Sequence, residues 1–125
     1  MGRSGRRFRR VIWSLTAIYW LGIFALTHLP PVEIPKMHIS DKLAHFSVFA
    51  VLGVLVHLSL WPSRRAAFFI MAVTMAVTLI YAAVDELTQP IVGRTCSLRD
   101  WYADAWGAAT AVAVMTIAHL VRGRA

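Results

Sequence analysis

The sequence predicts an all-α membrane protein, a polytopic bundle of four transmembrane helices with both chain termini on the cytoplasmic side (N-in/C-in). Of its 125 residues, 58% are hydrophobic and only 15% are charged, which is too few charges to cover a soluble domain. The apolar residues fall into four runs, each long enough for a helix to cross a hydrocarbon core of about 30 Å. Basic residues are divided unequally between the two sides that these runs define.

The first two segments are bounded by polar residues and proline. Segment one covers 11–29 and ends before Pro30 and Pro31, because proline lacks the backbone N–H that a helix needs. Its apolar run is long for a signal peptide and is followed by no small-residue cleavage site, so we expect a retained helix. Segment two covers 41–61, with Ser40 as its predicted N-cap.

The last two segments show the same kinds of signal. Segment three covers 64–89 and is followed by proline, and segment four covers 98–121. Ser97 and Asp100 precede the last apolar run as an S-x-x-D capping box, which is typical of a helix start. The connections are short, so we interpret 1–125 as one transmembrane domain.

The distribution of charge predicts the orientation. With a cytoplasmic N-terminus, nine of the 13 basic residues lie inside and four lie outside, as the positive-inside rule requires. The four outer basic residues are Lys36, Lys42, Arg94 and Arg99. The acidic residues then all lie outside: Glu33, Asp41, Asp85, Glu86, Asp100 and Asp104. The net charge of +7 suits an anionic membrane surface better than nucleic acid, because no basic stripe lies on a soluble helix.

Ionisable residues collect at the predicted outer ends of segments two, three and four. Asp41 and His45 are four apart and share one helix face, as do Asp100 and Asp104. An ionisable group inside the membrane costs about 2.5–3.5 kcal/mol on insertion scales, so such groups usually face the bundle interior. The residues that we expect to converge in one polar pocket are His45, Glu86, Arg94 and Asp104.

Small residues at a spacing of four predict where segment four packs. Ala103, Gly107 and Ala111 form a stripe that lets a neighbouring backbone approach closely. Asp104 lies beside this stripe, so we expect its carboxylate in the packed interface. Helix packing alone also explains the stripe, whatever the function.

Other residues with possible chemistry are isolated. Cys96 is the only cysteine, so neither an intramolecular disulfide nor a cysteine zinc cluster can form. His57 and His119, near the predicted inner helix ends, are interpreted as snorkelling or packing groups. His28 lies near the outer end of segment one and could join the polar cluster.

Three short motifs occur in order at helix ends on one side. They are DKLAHF at 41–46, DELTQ at 85–89, and GR at 93–94 followed by DWYADAWG at 100–107. In order and spacing they resemble the D-K-x-x-H-F, D-E-x-x-Q and G-R…D-x-x-x-N-x-x-G motifs of the VanZ-like family of bacterial membrane proteins. The resemblance covers about 40–120. Asp104 stands where many members have asparagine, which adds a possible charge.

The resemblance implies a multi-pass protein of the bacterial cytoplasmic (inner) membrane with an envelope-facing role. The family's founding member confers low-level teicoplanin resistance, so a link to glycopeptide tolerance is expected. The resemblance implies no reaction, because most relatives have no assigned activity.

Three functions remain open. The first is an envelope protein whose outer polar cluster binds a membrane lipid head group, a lipid-linked cell-wall precursor or a partner protein. The second is a small integral-membrane enzyme that acts on a lipid-linked phosphate. The third is a structural role, in which an ion-pair network locks the helix ends together. A nucleic-acid partner is not expected, and the sequence leaves the oligomeric state open.

The enzyme hypothesis assigns separate roles to the polar residues. His45 would act as acid or base, oriented by Asp41 across one helical turn, with Glu86 as a further catalytic candidate. Arginine makes bidentate contacts with phosphate oxygens. The candidate substrate-binding residues are Lys42, Gln89, Arg94, Arg99, Asp100 and Asp104. A divalent cation could be held by Glu86, Asp100 and Asp104, because hard metals take carboxylate oxygens.

Overall fold

The computed structural model describes residues 3–29, 40–61 and 66–122, and these ranges contain four α-helices and no strand. The helices are α1 (Arg3–Thr27), α2 (Asp41–Leu60), α3 (Ala67–Thr88) and α4 (Leu98–Arg122). A single 3-10 turn, Gln89–Val92, continues α3. All four helices are long and apolar enough to cross a membrane, which confirms the predicted fold class. The cytoplasmic placement of both termini stays a prediction.

The helix boundaries follow the predicted segments with local differences. α1 begins at Arg3, well before the apolar run, so the N-terminal arginines lie on its first turns. The predicted stop at Pro30 and Pro31 and the predicted start of segment three at Arg64 lie outside the described residues. Ser40 occupies the N-cap position of α2, but its side chain makes no capping hydrogen bond. The predicted N-cap position of Ser40 is thus confirmed.

α2 lies at the centre of the bundle. It contacts the other three helices and packs most extensively against α4. Its buried residues Phe49, Leu52 and Val56 form the hydrophobic core together with residues of α1 and α3, among them Ile23 and Tyr81. A helix that is apolar on nearly every side is suited to this central position.

Small residues bring α2 and α4 close together. A Cβ added at Gly107 would overlap the backbone carbonyl of Phe46, and a Cβ added at Gly53 would lie 3.1 Å from that of Ala111. Gly107 and Ala111 belong to the small-residue stripe that the sequence showed on segment four. The two backbones can touch because neither glycine has a side chain to separate them.

The helices alternate in direction, so four helix ends meet at each end of the bundle. We call one end the acidic end: it contains the C-terminal ends of α1 and α3 and the N-terminal ends of α2 and α4. Contacts between Thr27 and Asp85, and between His45 and Asp104, hold these helix ends together. The acidic end therefore gathers the polar residues that the sequence analysis selected.

Histidine and tryptophan rings occupy the opposite end. His57 is fully buried, so it packs in the interior and does not snorkel. The ring of His119 stacks on that of Trp61 with centroids 4.4 Å apart. Both histidines are thus packing groups.

Candidate functional site at the acidic end

A histidine–carboxylate pair joins α2 and α4. His45 Nδ1 lies 2.9 Å from Asp104 Oδ1, within hydrogen-bond distance. Asp104 is completely buried, whereas the His45 side chain keeps 19% exposure. The close approach of α2 and α4 at Gly107, about one helical turn from Asp104, places the two side chains at this distance. The partner that orients His45 is therefore Asp104 and not the predicted Asp41, with which His45 forms no hydrogen bond.

Glu86 on α3 completes a cluster of three, which we call the His45–Glu86–Asp104 cluster. One potential ligand atom from each residue lies within 4.8 Å of the other two. Glu86 is 3% exposed, so the cluster combines two buried carboxylates with one partly accessible imidazole. Three of the four residues predicted to converge thus lie together.

Backbone and side-chain donors hold the Glu86 carboxylate in place. Its Oε2 accepts a 2.8 Å hydrogen bond from the backbone N–H of Ser97, and its Oε1 lies 3.4 Å from Gln89 Nε2. The Ser97 hydroxyl accepts the N–H of Asp100 at 3.3 Å. The predicted capping box is thus half formed, and Glu86 from the preceding helix replaces Asp100 as the partner of Ser97 N–H.

Asp85 is the centre of a neighbouring hydrogen-bond network. Its Oδ1 accepts the hydroxyl of Thr27 at 2.7 Å and that of Tyr81 at 3.4 Å, and its Oδ2 accepts Gln89 Nε2 at 3.1 Å. His28 Nδ1 lies 3.8 Å from Asp85 Oδ1. Asp85 was not among the predicted site residues, although the spacing of four between Tyr81, Asp85 and Gln89 places them on one helix face.

Arg94 lies at the end of α1. Its Nη1 donates hydrogen bonds to the backbone carbonyls of Leu26 and Thr27 at 3.2 and 3.1 Å. These carbonyls belong to the last turn of α1 and have no partner within the helix. Arg94 therefore caps α1 and forms no ion pair with a carboxylate in the described part of the chain.

The remaining predicted residues lie at the rim of the site. Lys42 forms an ion pair with Asp100 and lies 3.4 Å from Asp41 Oδ2. Asp41, His45 and Asp100 each place a potential ligand atom within 4.8 Å of the others. Arg99 is exposed. No hydrogen bond or ion pair to another described residue holds its side chain.

An apolar groove between α3 and α4 reaches the cluster. It has a volume of about 290 Å³. Its lining consists of Ala83, Glu86, Leu87, Cys96, Ser97, Leu98 and Trp101. The indole N–H of Trp101 is buried without a hydrogen-bond partner. The groove thus has almost entirely apolar walls, and Glu86 of the cluster is one of its lining residues.

These features define a class, a small multi-pass membrane protein with a buried histidine–carboxylate cluster at one end of a four-helix bundle. The chain belongs to the VanZ/LLP1 family, whose model matches residues 4–119. This match covers nearly the whole chain and confirms the resemblance found from the three motifs. No curated protein and no solved structure matches the chain.

Proposed function

We propose that this VanZ-like membrane protein binds the polar head group of a membrane lipid or of a lipid-linked cell-wall precursor at the His45–Glu86–Asp104 cluster. The observation that carries the proposal is the burial of two carboxylates, Glu86 and Asp104, beside one partly accessible histidine. Buried charges are costly in an apolar bundle unless they have partners, so residues of this kind usually mark functional sites.

The groove beside Glu86 supports a lipid as the ligand. Its walls are formed by apolar residues such as Leu87 and Leu98 and are suited to an acyl or isoprenoid chain. A lipid could thus place its polar head group near Glu86 and its apolar tail in the groove between α3 and α4.

Membership of the VanZ/LLP1 family supports a proposal about the cellular role. We propose a site on the outer face of the bacterial cytoplasmic (inner) membrane and a role linked to glycopeptide, and in particular teicoplanin, tolerance. The nine-to-four distribution of basic residues supports the outward placement of the acidic end.

A susceptibility assay tests this proposal. Bacteria that depend on this chain for teicoplanin tolerance are complemented with the wild-type chain, with His45→Ala or with Gly22→Ala. We expect His45→Ala to lose tolerance at equal membrane expression and Gly22→Ala to keep it, because Gly22 lies outside the cluster and an added Cβ there meets nothing within 4 Å. Equal tolerance for all three chains would contradict the proposal.

The second candidate function is an enzyme that acts on a lipid-linked phosphate. The 2.9 Å contact between His45 Nδ1 and Asp104 favours it, because a carboxylate that orients one ring nitrogen leaves the other free for proton transfer. Arg94 donates to backbone carbonyls and Lys42 forms an ion pair with Asp100, so the exposed Arg99 is the better candidate for contacts with phosphate. Release of phosphate from a lipid phosphate by the purified protein, and its loss in His45→Ala, would distinguish this candidate from binding alone.

A further inference from the structure

We propose that His45, Glu86 and Asp104 bind one divalent transition-metal ion, with Zn²⁺ or Mn²⁺ as the suitable species. This inference deepens the proposed function, since it rests on the same cluster being a ligand site. The three residues come from three different helices, α2, α3 and α4, so a bound ion would also join the helix ends.

The distances within the cluster fit a single ion. Its three potential ligand atoms all lie within 4.8 Å of one another. Metal–ligand bonds of about 2.0–2.2 Å in a tetrahedral site place ligand atoms about 3.3–3.6 Å apart. Side-chain adjustments of up to about 1 Å would therefore bring the three atoms around one ion.

An unsatisfied oxygen points independently to a ligand. Asp104 is fully buried, and its Oδ2 has no hydrogen-bond partner. Buried polar atoms are nearly always paired, because removal from water without a new partner costs free energy. A cation bound between the three residues would satisfy this oxygen.

The balance of charge also favours a cation. Within residues 3–29, 40–61 and 66–122, no lysine or arginine forms an ion pair with Glu86 or Asp104. Lys42 pairs instead with Asp100, and Arg94 caps α1. A divalent ion would neutralise the two buried carboxylates, which His45 alone can balance only in part.

The donor set indicates which metal. Imidazole is a good ligand for zinc and other transition metals, whereas magnesium and calcium prefer oxygen ligands throughout. Three protein ligands leave a coordination position open for water or a substrate oxygen, as in catalytic zinc sites. The exposed fraction of His45 gives solvent or a lipid head group access to that position.

Surrounding hydrogen bonds already orient one of the ligands. Glu86 is held by Ser97 N–H and by Gln89, and Gln89 is held in turn by Asp85. Such outer partners fix ligand geometry and are worth about 10–100-fold in metal affinity. The Asp104 carboxylate contributes a negative charge that an asparagine would lack, so this chain should bind the ion more tightly than an Asp104→Asn variant.

Metal binding by the purified full-length chain in detergent tests the proposal. The protein is stripped with a chelator, titrated with Zn²⁺, Mn²⁺, Mg²⁺ and Ca²⁺, and its bound metal is measured by elemental analysis. We expect one Zn²⁺ or Mn²⁺ per chain, with at least about tenfold weaker binding in Glu86→Gln and Asp104→Asn. Circular dichroism identifies any variant that has lost its helices, and the near-isosteric Glu86→Gln and Asp104→Asn keep side-chain volume.

Asp100→Asn is the matched control, because Asp100 lies in the neighbouring group with Asp41 and His45. Binding that is weakened by Asp100→Asn but not by Asp104→Asn would overturn the assignment, as would stoichiometric binding of Mg²⁺ in preference to both transition metals. Absence of stoichiometric binding in the wild-type chain would also overturn it. If the wild-type chain binds no metal but His45→Ala still abolishes tolerance, the proposed function stands without the metal. If the chain binds metal but His45→Ala leaves tolerance unchanged, the proposed function alone is contradicted.

Discussion

His45 on α2 and Asp104 on α4 meet at 2.9 Å where Gly107 lets the two helices touch. We predict that the two side chains are energetically coupled. In a double-mutant cycle of His45→Ala and Asp104→Ala, the interaction energy should be about 0.5–3 kcal/mol. The interaction energy is obtained from the free energies of unfolding of the wild-type chain, the two single variants and the double variant, all measured in detergent. Strictly additive losses of stability would contradict the coupling between His45 and Asp104.

Close packing at Gly107 gives the second prediction. Gly107→Ala should lower the free energy of unfolding by at least about 1–3 kcal/mol, because the new Cβ overlaps the carbonyl of Phe46 and separates the helices. Gly22→Ala is the matched control. A Cβ there meets nothing within 4 Å, and alanine favours the helix by roughly 0.5–1 kcal/mol. Thermal unfolding of both variants checks the prediction, and equal destabilisation would contradict it.

The four helices could be predicted because their signals are local. Apolar runs and flanking polar residues each act over a few neighbours, and they determined segments 41–61 and 98–121 almost to the residue. The stripe around Gly107 also predicted which face of α4 packs closely. The stripe did not predict that α2 is the helix that packs against this face of α4.

The partners within the site could not be predicted in the same way. Asp41 was predicted to orient His45, because a spacing of four places two residues on one helix face. The rotation of α2 relative to α4 instead brings Asp104 next to His45. This rotation depends on tertiary packing and cannot be predicted from the spacing of residues in the sequence. Ser97 N–H similarly bonds to Glu86 and not to Asp100, because α3 ends close to the start of α4.

Arg94 gives the third prediction. Arg94→Ala should lower the free energy of unfolding by about 0.5–1.5 kcal/mol for each hydrogen bond lost, because Leu26 and Thr27 carbonyls lose their donor. Arg99→Ala should leave stability unchanged, since the Arg99 side chain is exposed. Thermal unfolding compares the two variants. Loss of tolerance in Arg94→Ala with unchanged stability would instead support the predicted role of Arg94 in substrate binding.

The orientation in the membrane is the fourth prediction. With nine basic residues on one side and four on the other, both termini should be cytoplasmic. Reporter fusions at Ala125 and in the loop near Thr95 check this, and a reporter active only in the periplasm should work only at Thr95. Activity at Ala125 would contradict the orientation and place the acidic end in the cytoplasm.

The last prediction separates the ligand site from a structural lock at the same end of the bundle. Asp85 accepts hydrogen bonds from Thr27, Tyr81 and Gln89, so its carboxylate ties α1 to α3. Asp85→Ala should lower the free energy of unfolding by about 1–3 kcal/mol for each buried donor left unsatisfied. His45→Ala should cost less in total, because it leaves one buried group, the Asp104 carboxylate, without its partner, at about 1–3 kcal/mol.

Tolerance and stability measured on the same variants then distinguish the two roles. At a growth temperature well below both unfolding midpoints, Asp85→Ala should keep teicoplanin tolerance despite its lower stability, whereas His45→Ala should lose tolerance although it loses less stability than Asp85→Ala. This opposite ranking follows because Asp85 is saturated with protein donors, while Asp104 beside His45 keeps a free oxygen for a ligand. If tolerance instead falls in proportion to stability in both variants, the acidic end acts only as a structural lock.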